Sequence, residues 1–241
     1  PELMSAARNQ VVGQVERADL LGAYDSVAAL VERRPDSSEA LFARSYVYRY
    51  AGLLEEAIAD CDLALDLDPT SESLRSCGIA LLQAGHYDRA TEFFDLSEGS
   101  DFYWDALAHL EMARGRPEAA VEAWDGVSAE YSFHEGKLLR ACLEGSPDIA
   151  TLAREDEAAY DTVRDPETLY FGATEHAFCN QKDSALRLLR RSIARNYCAY
   201  PAIDNDGSWD PLRDDPDFLA LRQEAIACQQ RFLDNRAGSA G

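Results

Sequence analysis

Histidine and cysteine are the side chains of this sequence best suited to hold a metal or act as nucleophiles, so their spacing is the first thing to read. His86, His109, His134 and His176 form no His-x-x-x-His pair, and none stands beside a cysteine at ligand spacing. Cys61, Cys77, Cys142, Cys179, Cys198 and Cys228 contain no Cys-x-x-Cys. Most fall within apolar helical patterns, where a reduced thiol packs as a small hydrophobe. The expectation is a reducing, cytoplasmic setting with no zinc site, no other metal and no cofactor. A Gly-x-Ser-x-Gly elbow, a phosphate loop and a dinucleotide fingerprint are all missing. A catalytic triad assembles across a fold and leaves no local spacing to read. The expected class is therefore a non-catalytic protein.

Charge narrows the partners. The chain has 241 residues and a formal net charge of -21. Such a surface repels phosphate backbones and anionic membranes, so neither nucleic acid nor membrane is an expected partner. The favoured reading of the charge is solubility; the alternative is steering of a basic protein or peptide. No run of about 18 apolar residues is present to span a membrane. Lys182, Arg187, Arg190, Arg191 and Arg195 form the one basic stretch, with Arg187, Arg191 and Arg195 four apart on one helix face. An acidic partner is one reading. The favoured reading is intramolecular pairing with Asp204, Asp206, Asp210, Asp214, Asp215 and Asp217, which would seat the C-terminal segment. Asp204-Asn205-Asp206-Gly207 hints at a calcium loop. Aligning its glycine to the loop glycine puts Arg213 where the bidentate Glu belongs, so an aspartate-rich turn is expected instead. Glu155-Asp156-Glu157 reads as a solvated helix face.

The elements that must position these residues are helices. Strand patterns are almost absent, and apolar residues recur at three- and four-residue spacing. Gly22, Gly52, Gly85, Gly115 and Gly145 follow one another at 30, 33, 30 and 30 residues, and Asn180 falls 35 further on. Glycine or asparagine suits the left-handed residue that ends a helix. An acidic residue three positions on suits the start of the next helix, and Pro117 and Pro147 fit a first helical turn. Ala57, Ala90, Ala120, Ala150 and Ala185 are small enough to let paired helices approach. A fixed period of 30 to 35 residues predicts a solenoid of helical hairpins.

Residues Ser38 to Ser71 resemble a tetratricopeptide repeat almost throughout. Leu41, Ser45, Tyr48, Gly52, Leu54, Ala57, Ala64 and Pro69 occupy its signature slots. The next unit matches at Leu74, Gly78, Leu81, Gly85, Tyr87, Ala90 and Phe94, and the third at Trp104, Ala108, Gly115 and Ala120. Another follows at Leu169, Ala173, Ala185 and Ile193, while the units around Gly22 and Gly145 drift. The resemblance covers residues 8 to 196. It implies an all-α, right-handed superhelical solenoid of about five to six helix pairs with a C-terminal capping helix. The expected division is an array over 1–196, an Asp/Pro-rich connection and capping helix over 197–235, and a flexible tail over 236–241. The chain's ends read as those of a piece of something larger.

The same resemblance implies peptide binding on a concave face built by first helices. Its inward positions here are Phe42, Tyr46, Arg49 and Tyr50, then Arg75, Ile79, Leu82 and Gln83, then Phe102, Asp105, His109 and Met112. Glu135 and Leu139 follow, then Tyr170, Thr174 and Phe178. The Lys and Asn clamp that holds a chaperone's terminal carboxylate in some family members is missing, and Phe42 and Tyr46 stand in two of its slots. Asn196 to Pro201 and Trp209 to Phe218 are similar to the end of repeat modules in bacterial multidomain regulators, including eukaryotic-type Ser/Thr kinases and winged-helix regulators. The leading expectation is a protein or peptide partner in the groove. Behind it stand a regulatory module of a larger signalling protein and a self-assembling array, with a monomer favoured.

Overall fold

The computed structural model describes residues 2–128, 136–198 and 200–238, with side chains from residue 7 to 237. Among them every regular element is a helix. The helices come in antiparallel pairs: α1 (Glu2–Glu16) with α2 (Leu20–Arg33), α3 (Ser38–Tyr50) with α4 (Leu54–Leu67), and α5 (Cys77–Gln83) with α6 (Tyr87–Phe94). Then come α7 (Asp101–Ala113) with α8 (Pro117–Trp124), α9 (Lys137–Leu143) with α10 (Ile149–Ala159), and α11 (Pro166–Phe178) with α12 (Lys182–Ala194). The chain finishes with α13 (Tyr200–Asn205), a 3-10 turn over Gly207–Leu212, and α14 (Pro216–Gly238). A further 3-10 segment, Glu72–Ser76, leads into α5.

The punctuation expected from sequence is found at the turns. Gly52, Gly85, Gly115, Gly145 and Asn180 all have positive φ, between 54° and 78°. One slot differs. Gly22 lies inside α2, and the left-handed residue of the first turn is Ala18, at φ 62°. Ala18 stands 34 residues before Gly52, within the spacing of the other turns. Gly22 serves the helix start instead. Asp19 caps α2 by accepting from the Gly22 amide at 3.0 Å, and a Cβ on residue 22 would strike that carboxylate. Five residues after each turn comes the small residue of the second helix. Ala23, Ala57, Ala90, Ala120 and Ala185 are fully buried, whereas Ala150 is exposed. The array is therefore tetratricopeptide-like in its helix pairing, and it loosens at α9 and α10.

Two cysteine expectations are corrected. Cys61 and Cys77 form a disulfide between α4 and α5, and Cys198 and Cys228 form one between the α12–α13 connection and α14. Only Cys142 and Cys179 are free. Four of the six thiols are therefore oxidised, and a reducing compartment no longer follows from the cysteines, since disulfides persist in oxidising settings. No helix among the described residues is long and apolar enough to cross a membrane.

The second departure from a simple open array is long-range. The segment after α12 turns back over earlier pairs instead of continuing outward. The Gly207–Leu212 turn packs on α11 and α7, α13 on α5, and α14 on α12 and α2. Trp209 is fully buried and stacks on Phe218 at 5.1 Å, and Tyr197 and Leu212 are buried beside them. At the other end, Asn196 Nδ2 donates to the Ala18 carbonyl at 2.6 Å and Arg195 Nη2 to the Glu16 carbonyl at 2.6 Å. First and last hairpins thus touch, and the first helices enclose what would otherwise be an open groove. Helix α14 runs to Gly238, three residues beyond the sequence expectation.

Candidate functional site: a pocket among first helices

What closes the groove is α11. Asp165 caps it, accepting from the Glu167 amide at 2.8 Å, and Pro166 takes the first helical position. That cap delivers Glu167 against α3. Arg49, 2% exposed, donates from Nη2 to Glu167 Oε2 at 2.9 Å and from Nη1 to the Ser76 carbonyl at 2.6 Å. Gln83 Nε2 donates to Glu167 Oε1 at 3.0 Å, and Tyr197 OH to the same oxygen at 3.3 Å. Tyr50 OH donates to Asp165 Oδ1 at 2.9 Å, and Tyr46 OH to Tyr50 OH at 2.9 Å. The Cys198 amide completes the lock on the Tyr50 carbonyl at 2.8 Å.

A buried ion pair of this kind is costly to break from one side, because the remaining charge is left without partner or water. Burial alone would lower the Arg49 pKa, but Glu167 and the rings of Tyr50, Tyr46 and Tyr197 together more than offset it, so the guanidinium stays charged. Burial pushes the Glu167 carboxyl up, and Arg49 pulls it back. Tyr46 and Tyr50 are pushed well above the ordinary phenol range by burial and by Asp165, so both stay protonated and able to donate.

Beside this lock a pocket of about 260 Å³ remains. Arg49, Tyr50, Ile79, His109, Glu167 and Phe171 form its buried surface, and Tyr46, Ser76, Phe102, Asp105, Asp165 and Thr168 its half-exposed surface. His109 stacks on Phe171 at 4.2 Å between ring centroids. Asp105 Oδ1 accepts from Trp124 Nε1 at 3.2 Å and lies 3.7 Å from His109 Nε2.

Seven of the seventeen inward positions read from sequence line this pocket: Tyr46, Arg49, Tyr50, Ile79, Phe102, Asp105 and His109. Arg75 sits just outside, its guanidinium 5.1 Å over the Phe102 ring. Phe42, Tyr170 and Phe178 do not reach it. Phe42 is core, since the approach of neighbouring helices buries it. Tyr170 faces the C-terminal turn, with its OH 3.4 Å from Asp206 Oδ2 and 3.3 Å from Trp209 Nε1. Phe178 packs in the second apolar cluster with Leu139 and Met112. Leu82, Gln83 and Thr174 are also buried, and Glu135 lies outside the described residues. For Arg49, Tyr50 and Tyr170 the expected open groove is corrected: they face α11 or the C-terminal turn, not a free surface. Ser76, Asp165, Glu167, Thr168 and Phe171 do not follow from the sequence reading. The Asp165-Pro166 helix start was visible in the sequence, but not the fact that its first turn faces α3.

The basic stretch is mostly consumed within the chain, but not as expected. Lys182 pairs with Asp215 and Asp217 at 2.5 and 3.2 Å, and to that extent the C-terminal segment is seated as expected. The arginines turn the other way. Arg187 forks onto Glu157 at 2.6 and 2.7 Å, Arg191 donates to the Tyr160 carbonyl, and Arg195 to the Arg164 and Glu16 carbonyls. Arg190 is exposed. Glu155-Asp156-Glu157 is consequently not simply solvated, because Asp156 meets buried His176 Nε2 at 2.9 Å and Glu157 holds Arg187. The Asp204–Gly207 segment is a turn: Asp206 caps the following 3-10 helix, accepting from the Ser208 amide at 2.8 Å. Asp204 pairs with Arg222.

No family model and no curated protein matches the chain. Among solved structures it is similar to YrrB, described as a TPR protein with an unusual peptide-binding site. The identity is 16%, over 74% of this chain and 96% of that one, with a TM-score of 0.40. The tetratricopeptide-like fold is carried by this chain's own turns and helix pairs.

Proposed function

We propose that the chain is a non-catalytic interaction module that receives part of a protein or peptide partner in the pocket between α3, α5, α7 and α11. The observation that supports this reading is the pocket itself: a concave, half-open site where aromatic rings and polar groups converge from four helices. Because α11 occupies the face that an extended peptide would use, the partner offers a single side chain or chain end. Thr168→Trp tests this by filling the pocket from its half-exposed side. Capture of a partner should fail while the circular dichroism spectrum and Tm hold. Undiminished capture would move the binding site elsewhere.

A second reading is a regulatory module of a larger signalling protein. It is favoured by residues 196–218, whose resemblance to bacterial regulator modules is carried by Tyr197, Trp209, Leu212 and Phe218, the side chains that fold back over the array. On either reading we expect a monomer in solution.

A further inference from the structure

We infer that the pocket selects a cation, the guanidinium or ammonium end of a basic side chain on a peptide partner; this rests on the pocket being the docking site proposed above. Three carboxylates line it, Asp105, Asp165 and Glu167, against a single arginine or lysine, Arg49. Glu167 already holds Arg49 at 2.9 Å. Two carboxylates are left over. Each uses one oxygen on the protein and keeps the other. Asp165 accepts from Tyr50 and from the Glu167 amide through Oδ1, and Asp105 meets Trp124 and His109 through Oδ1. Neither Oδ2 takes a hydrogen bond from the described residues.

The walls suit the same ligand. A cation over an aromatic face is attracted by the ring quadrupole, and more strongly where water is excluded. Two of the pocket's rings already hold cations from the chain: Arg49 lies 4.9 Å from the Tyr46 ring centre and Arg75 5.1 Å from that of Phe102. A ligand carboxylate would meet two like charges there. The volume, about 260 Å³, falls below the range for drug-sized ligands and suits one long side chain. The net charge of -21 would draw basic segments toward the surface.

The test uses the whole chain and fluorescein-labelled Gly-Gly-X-Gly-Gly peptides in which X is arginine, lysine, citrulline or glutamate, read by anisotropy. Arginine and lysine peptides should bind about tenfold more tightly than citrulline, and Asp105→Asn should weaken them about tenfold. Thr168→Trp should abolish binding. Absence of arginine-peptide binding at millimolar concentration would overturn the inference. Equal binding of all four peptides, lost in Thr168→Trp, would overturn charge selection and leave the docking site standing. Arginine binding untouched by Thr168→Trp would place the cation elsewhere on the acidic surface and remove both readings. Spermidine displacing the arginine peptide at lower concentration than unlabelled arginine peptide does would reassign the pocket to a free polyamine.

Discussion

Helices α3 and α10 belong to the same kind of hairpin, yet the array treats them differently. Nine of the thirteen residues of α3 are buried, whereas among the eleven of α10 only Ala153 is. Helix α3 packs against α1, α2, α4 and α5 and meets α11 through the Arg49–Glu167 pair. Helix α10 packs against α9, α12 and a 3-10 turn, with much of its surface in water. The unit with the densest signature is thus the one enclosed on most sides, and the decayed unit lies at the margin. Signature residues in such a repeat record how many neighbours a hairpin has, because each slot is a contact that must fit.

That contrast can be broken, and the largest effect should come from Arg49. Arg49→Ala leaves Glu167 buried and alone, and should cost about 3–5 kcal/mol in denaturant unfolding. Arg49→Met with Glu167→Leu should recover most of it; a double variant as unstable as the single one would show that the charge itself is needed. Next is the Cys61–Cys77 bond, which ties the enclosed pair to the following one. Cys61→Ser should cost about 2–4 kcal/mol. Thiol titration of the denatured, unreduced wild type should find two reactive cysteines, Cys142 and Cys179.

The two small-residue slots sharpen the comparison directly. Ala57→Leu forces a larger side chain between α3 and α4 and should cost about 1–3 kcal/mol. Ala150→Leu, at the equivalent but exposed slot, should stay within about 0.5 kcal/mol. Equal losses would mean that α9 and α10 are packed as tightly as the consensus pair. The smallest effect concerns Glu157 on α10, whose carboxyl is lowered to about 2 by its hydrogen bonds from Arg187. A lowered folded pKa gives stability that is present above the ordinary glutamate range and lost as pH falls toward 2. Wild type should exceed Glu157→Gln by under about 1 kcal/mol at pH 6, given the exposure of Arg187, and the gap should close between pH 4.5 and 2.

The hairpins were legible in sequence wherever glycine or asparagine marked a left-handed turn. They were misread at the first turn, because Ala18 adopts the same conformation without the usual residue and Gly22 stood nearby as a decoy. The pocket was legible in part. Tyr46, Arg49 and His109 follow from helical spacing, which is local information. Their partners on α11 do not, since Arg49 and Glu167 are 118 residues apart and no periodicity encodes which hairpin faces which. The arginine stripe failed for a related reason. Spacing showed that Arg187, Arg191 and Arg195 share a face, but not that α10 and the connection to α11 lie opposite it. The cysteine pairs were missed because residues 61 and 77, or 198 and 228, meet only through the packing of helices.

The contact between the first and last hairpins sets a rule about number. An open solenoid can gain or lose a hairpin and stay folded, because each unit answers only to its neighbours. Here Asn196 must find the Ala18 carbonyl, Gln229 the Gly52 carbonyl at 2.7 Å, and Glu167 must find Arg49. Inserting or deleting one hairpin would displace all three partners at once. The molecule therefore counts its own repeats, and its length should vary far less over evolution than that of arrays with free ends.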